Sequence, residues 1–234
     1  MTDGHQVLVS ASILNADFSR LDRVVHKMER AGADRLHLDV MDGNFVDNIT
    51  FGPDVVAAFR RLTGMPLDVH LMIAEPARYM ERFIEAGPQT ITFHVEADEG
   101  VARKTEAIAA IHAAGREAGL AVSPDTPVSA VDPWLDELDI IMIMSVYPGW
   151  GGQGFIPETA PKIAEARARL AAAGRGGLVH VDGGVNSKTA DVVGAQGIDV
   201  CVVGSALFTR GRDASAEVDL VKARALDAFA AGVR

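Results

Sequence analysis

The chain has 234 residues, of which 48% are apolar and 23% charged, a balance that excludes a disordered or collagen-like chain. A formal net charge of −10 argues against a broad nucleic-acid footprint, and no run reaches the roughly 18 apolar residues of a membrane span. The single cysteine, Cys201, excludes an internal disulfide framework and, lying in an apolar run, reads as a buried core thiol.

Short β-rich runs alternate with helical stretches along the chain. The first run is residues 7–11. A helix follows from about Asp17, with Leu21, Val24, Val25 and Met28 on one face, and stops at Gly32. The second strand is 35–41, followed by a loop over 42–53 and a helix near 54–62. The third strand is 67–72, and Pro76 opens the next helix. The fourth strand is 90–95, followed by an Ala-rich helix ending at Gly115. The fifth is 118–122, with a short helix after Pro127. The sixth is 140–144, from which a Gly-rich loop leads to a helix over 160–173. The seventh is 178–182, with a helix over 187–196. The eighth is 199–203, and a final Ala-rich helix runs to the chain end.

Eight strands, each followed by helix, predict an α/β fold: a single (β/α)₈ TIM barrel forming one catalytic domain over residues 1–234. An open doubly wound sheet is the alternative. It would place a Gly-rich fingerprint directly after the first strand, where this chain has Ser12-Ile13-Leu14-Asn15. Residues 1–6 are polar and lack a signal-peptide apolar region, so the expectation is a soluble, cytoplasmic protein with no membrane or nucleic-acid partner.

Barrel chemistry sits at the C-terminal strand ends, so polar residues there stand out against an interior expected to be otherwise apolar. Alternation puts His37, Asp39 and Met41 on one face of the second strand. His70 falls near the end of the third strand and Asp182 at the tip of the seventh. Two imidazoles and two carboxylates form a candidate divalent-cation site, suited to Zn²⁺, Fe²⁺, Mn²⁺ or Co²⁺ more than Ca²⁺. For each strand taken alone, a His–Asp hydrogen bond or a satisfied barrel-mouth histidine reads equally well. His180 shares the side of Asp182 one layer deeper and reads as core. His94 reads as a supporting or structural residue rather than a ligand.

Glycines crowd the last three strand ends: Gly149, Gly151 and Gly152 around Trp150, then Gly183 and Gly184, then Gly204 before Ser205. Glycine lets backbone N–H groups turn toward an anion, and phosphate sites after the last strands recur in this fold. The expected ligand is a phosphorylated small molecule.

In combination these segments resemble the ribulose-phosphate 3-epimerase family. The matching runs are Ser12 to Phe18, His37 to Gly43, Asp68 to Ile73, Thr92 to Glu96, Pro148 to Gln153, Val181 to Val185 and Gly204 to Phe208, in family order. The resemblance implies interconversion of D-ribulose 5-phosphate and D-xylulose 5-phosphate by proton transfer at C3 through a metal-stabilised enediolate. It implies one divalent cation on His37, Asp39, His70 and Asp182, with Asp39 and Asp182 as the acid/base pair. Ser12, His70 and Asp182 would contact the sugar. Gly149, Trp150, Gly151, Gly152, Gly183, Gly184, Gly204 and Ser205 would hold the substrate's phosphate end. Met41, Met72 and Met144 match methionines that flank the reacting carbons, where gap-filling at the barrel mouth reads as well. A homo-oligomer is also implied.

Several positions depart from the family pattern: Ala11, Asp47, Ser123, Tyr147, Trp150 and the run Ala195 to Asp199. Asp47 and Tyr147 bear on the sugar at the mouth. A sibling epimerase acting on a six-carbon ketose phosphate such as D-allulose 6-phosphate is therefore the rival reading, and a non-catalytic phosphosugar-binding barrel is the third.

Overall fold

A computed structural model describes residues 4–174 and 176–232. Strand β1 (Leu8–Ser12) leads through a 3₁₀ turn at Phe18–Arg20 to α1 (Leu21–Arg30). The pairs β2 (Arg35–Met41) and α2 (Pro53–Leu62), β3 (Leu67–Met72) and α3 (Pro76–Glu85), and β4 (Thr90–His94) and α4 (Val101–Ala113) follow. Strand β5 (Glu117–Val122) is followed by a 3₁₀ segment, Val128–Glu137. Then come β6 (Ile140–Met144) with α5 (Pro161–Ala172), and β7 (Leu178–Asp182) with α6 (Ala190–Gly194). Last are β8 (Val200–Val203), α7 (Ser205–Phe208) and α8 (Ala214–Gly232). Every strand pairs in parallel with the next, and β8 pairs with β1, closing the barrel. The expected (β/α)₈ fold is what forms, and no open sheet edge exists among the described residues.

Local chemistry sets the element ends. Pro53, Pro76 and Pro161 each open a helix, where the missing N–H costs nothing. Gly32 follows α1 at φ +76°, a conformation other residues rarely adopt.

Some boundaries differ from the sequence reading. Ser12 belongs to β1 rather than to the turn, because it pairs with His37. β5 begins at Glu117 and β8 at Val200. The segment after Pro127 is 3₁₀ and contains Pro133, which has no N–H to continue an α ladder. The helix expected over 187–196 shrinks to Ala190–Gly194, since Asn186 and Thr189 side chains take the preceding backbone N–H groups. Residues 1–3 of the polar start, Arg175, and residues 233–234 of the expected terminal helix lie outside the described residues. Among the described residues, no helix is long and apolar enough to cross a membrane.

The expectation of an apolar barrel interior is corrected. The outward strand faces (Leu36, Leu38, Val40, Leu71 and their neighbours) join the helices in the main apolar core. Inside the barrel, Ala121, Ile140, Met142 and Met144 form a separate apolar cluster on β5 and β6. Strands β1 to β4 instead bury Ser10, Ser12, His37, Asp39, Asp68, His70, Thr90, Thr92 and His94. Burying so many polar groups is tolerated because most satisfy one another. Ser10 and Thr90 hydroxyls both donate to Asp68, and the Ser12 hydroxyl donates to Asp39.

Candidate active site

Strand register builds the centre. His37 lies beside Asp68 and Asp39 beside His70 across β2 and β3, while Asp182 ends β7 next to Met144. The four predicted donors converge: one ligand atom from each of His37, Asp39, His70 and Asp182 lies within 4.8 Å of the others. His37 Nε2 is 3.3 Å from Asp39 Oδ1 and 3.8 Å from Asp182 Oδ2. His70 Nδ1 is 3.4 Å from each of the same two oxygens. These contacts lack hydrogen-bond alignment, and both nitrogens are buried without a hydrogen-bond partner. Two orphaned imidazole nitrogens facing two carboxylates are costly alone and fit one small divalent cation.

The field is strongly coupled. Burial works to raise the Asp39 carboxyl, but His37 and His70 outweigh it and hold the group below the usual range. Burial works to lower His37, and Asp39 with Asp68 reverse that and hold it well above its ordinary value. His70 is raised in the same way: burial opposes the shift, and Asp182 with Asp39 overcome it. Burial pushes the Cys201 thiol up to about 12, which leaves it the inert core residue expected.

Two carboxylates outside the donor set hold the imidazoles. Asp68 is fully buried and its Oδ2 lies 2.9 Å from His37 Nδ1. His180 lies deeper than Asp182, with Nδ1 3.7 Å from Asp68, and burial lowers it to about 4. It is a neutral core residue, as read from the sequence. His94 supports His70 from behind and reaches Glu96 in turn. Burial works to raise Glu96, but His94, Thr126 and the Ser123 N–H bring it to about 2, so it is a carboxylate at neutral pH. Sequence reading missed Asp68 and Glu96. The signal for Asp68 was present, since alternation places it on the His70 side one layer down, as it does His180 beneath Asp182.

Above this centre lies a cavity that opens to solvent. Asp39 and Asp182 line it, with Ser12, Met41, Met72 and Met144. So do Gly149, Trp150, Gly151, Gly152, Gly183, Gly184, Gly204 and Ser205, each assigned to substrate from the sequence. His37 and His70 do not line it; both are fully buried beneath. Asp47 does not line it either, whereas Tyr147 does. Tyr147 donates its hydroxyl to Asp125, and Asn48 donates its amide to the Gly149 carbonyl, so neighbouring loops brace the glycine loop.

The glycines differ in how strictly they are required. A Cβ on Gly184 would stand 2.4 Å from Phe155 N at φ +64°, and one on Gly183 would stand 2.7 Å from Val146 N at φ +122°. A Cβ on Gly151 would stand 2.5 Å from Asn15 Oδ1. At Gly204 the nearest atom would be 3.5 Å away, ordinary contact.

Fold and site together define a (β/α)₈ enzyme with a carboxylate–imidazole centre under a glycine-lined cavity. The model of the ribulose-phosphate 3 epimerase family matches residues 8–208, and the chain belongs to that family; it is an epimerase. The chain is 44% identical to the ribulose-phosphate 3-epimerase of Bacillus subtilis (strain 168), over 86% of this chain and 92% of that protein. It is 41% identical to that of Rhodobacter capsulatus, over 93% of each. Among solved structures, 3-hexulose-6-phosphate synthase from Salmonella typhimurium superposes with a TM-score of 0.68 at 16% identity, covering 95% of this chain and 100% of that one. That likeness concerns the fold.

Proposed function

We propose that the enzyme interconverts D-ribulose 5-phosphate and D-xylulose 5-phosphate by two-carboxylate proton transfer at C3. The observation that carries this reading is the opening of both Asp39 and Asp182 into one cavity, beside two buried imidazoles with orphaned nitrogens. Inverting a carbon beside a ketone requires removing its proton on one face and delivering one to the other. One carboxylate takes the C3 proton and the other, protonated, returns one from the opposite side. For the reverse reaction the roles exchange.

A divalent cation (Zn²⁺, Fe²⁺, Mn²⁺ or Co²⁺) on His37, Asp39, His70 and Asp182 would supply Lewis-acid stabilisation of the charge that develops on the substrate oxygens. Asp39 is set up as a base, because the adjacent imidazoles keep it ionised. Ser12 donates to Asp39 Oδ2 at 2.7 Å and so orients its carboxylate. Met41, Met72 and Met144 wall the cavity without offering a proton, which keeps water from quenching the carbanionic carbon. The glycine turns at 149–152, 183–184 and 204 take the phosphate on backbone N–H groups, so an acidic chain binds a dianion without a cluster of basic side chains.

Gly184→Ala tests the cradle. The left-handed backbone conformation alone costs about 1–3 kcal/mol, and overlap with Phe155 adds to it. The expected result is a thermal midpoint lowered by at least about 2–4 °C, with KM for the phosphorylated substrate raised more than kcat falls. Unchanged KM and midpoint would remove Gly184 from the cradle.

The reaction itself is tested by NMR of ribulose 5-phosphate in D₂O with metal-stripped enzyme, before and after each ion is restored. Expected is metal-restored xylulose 5-phosphate carrying deuterium at C3. No turnover of the pentulose with any ion, and turnover of a six-carbon ketose phosphate instead, moves the assignment to the sibling epimerase. Tight binding without isotope exchange reduces it to a binding barrel.

A further inference from the structure

Strand β4 ends on His94, and Glu96 folds back onto that strand end. The two oxygens of Glu96 have separate partners. Oε1 accepts the Ser123 N–H at 2.7 Å, and Oε2 lies 3.0 Å from His94 Nδ1. His94 Nε2 lies 3.0 Å from His70 Nε2. Both imidazoles are fully buried. No step of the proposed reaction uses His94 or Glu96.

Hydrogen bookkeeping fixes the order. A carboxylate only accepts, so His94 Nδ1 carries the hydrogen. A neutral imidazole has one N–H, so His94 Nε2 is a bare acceptor. His70 Nε2, facing it, therefore carries a hydrogen. Neutral His70 then presents a bare Nδ1, the same atom that is orphaned between Asp39 and Asp182. With both imidazoles neutral, any other order sets two N–H groups, or two lone pairs, against each other at 3.0 Å. The far end of the line is fixed as well. Lys162 donates to the carbonyls of Ser123, Pro124 and Thr126, pinning the loop whose N–H holds Glu96.

We propose that Glu96 and His94 are positioning residues that act through His70, holding its Nδ1 lone pair toward the centre. The inference rests on the cation reading of that centre and deepens it. It makes an unusual ranking of variants. In Glu96→Gln the Ser123 N–H still needs an acceptor, so the amide oxygen turns to Ser123 and the NH₂ faces His94. That forces the hydrogen onto His94 Nε2 and, through it, onto the central nitrogen of His70. Glu96→Ala removes the constraint without reversing it. A purely structural Glu96 predicts the opposite ranking, because alanine deletes more contacts.

The test is chelator competition with Zn²⁺ and Mn²⁺ on the full chain, with unfolding curves as the folding control. Outer hydrogen-bond partners of ligating histidines typically contribute about 10–100-fold to affinity. Glu96→Gln is expected to lose that much and Glu96→Ala clearly less, and in a His94→Phe background Glu96→Gln is expected to lose nothing further. Nitrogen-15 NMR of zinc-loaded wild-type enzyme is expected to show His94 protonated at Nδ1 and bare at Nε2. Failure of the wild-type protein to bind any of the four ions overturns the cation reading and this inference with it. Wild-type binding with Glu96→Gln within about threefold, or with alanine the weaker variant, overturns the positioning role alone. The opposite His94 tautomer does the same, even if the Gln variant does not fold.

Discussion

Asp39→Asn and Asp182→Asn are each expected to lower kcat by at least about 10²-fold in both directions, since a positioned acid or base contributes roughly 10²–10⁴-fold. A carboxamide neither takes nor delivers the C3 proton. Each change also removes one donor from the four that converge within 4.8 Å, so affinity for the cation falls with kcat. Folding is retained. In Asp39→Asn the amide oxygen still accepts the Ser12 hydroxyl, and Asp182 sits at a strand tip that opens into the cavity. The two variants also differ from each other. Each keeps one base, which can still remove and return a proton on its own face. Deuterium from solvent is therefore expected to enter one epimer without inversion in Asp39→Asn, and the other epimer in Asp182→Asn. Full turnover in either variant ends the two-carboxylate scheme. Wash-in of the same epimer in both would mean that the two groups do not face opposite sides of the carbon.

How much of this was readable from the chain depends on which physical rule was at work. Alternation of strand and helix made the barrel legible, because parallel strands buried on both faces leave clear apolar runs. The four central donors were legible because strand ends in this fold are where polar side chains collect. Depth was harder. Period-2 alternation tells which face a residue takes but not which layer it meets across the barrel. Asp68 therefore passed as an ordinary strand residue, although it receives hydrogen bonds from β1, β2 and β4. Glu96 was hidden for another reason. Its importance arises from a chain reversal after β4 that brings its carboxylate against His94 and the Ser123 N–H, and neither contact leaves a spacing pattern. Short helices failed where side chains compete for backbone groups, as Asn186 and Thr189 do before α6. The polar half of the interior follows from the same competition. Residues that would be penalised singly are retained because they form one network with the site.

That network makes Asp68→Asn the variant with the largest expected cost to the fold. Asp68 accepts from Ser10 at 2.9 Å, from Thr90 at 2.6 Å and from His37 Nδ1 at 2.9 Å, with no exposure to water. An asparagine has one acceptor oxygen where the carboxylate has two, and its NH₂ must face either Thr90 or Ser10 and His37 together. If it faces Thr90, that hydroxyl can rotate and the amide oxygen still accepts from Ser10 and His37. If it points at His37, the imidazole hydrogen moves to Nε2 and blocks the centre. In every arrangement His37 loses one of its two buried carboxylate partners and keeps only Asp39. Breaking a buried ion pair by removing one partner costs about 3–5 kcal/mol. At about 2–4 °C per kcal/mol for a chain of this size, the metal-free thermal midpoint is expected to fall by about 6–20 °C. Cation affinity falls about 10–100-fold as well, because a neutral amide in place of the carboxylate holds His37 less firmly and leaves it a weaker donor to the cation. Scanning calorimetry of the metal-free protein reads the first effect and chelator competition the second. Lost stability with intact affinity would make Asp68 a folding residue only. Intact stability would mean that the three donors find other partners, and the buried carboxylate would no longer explain why the β1 to β4 half of the barrel tolerates its polar lining.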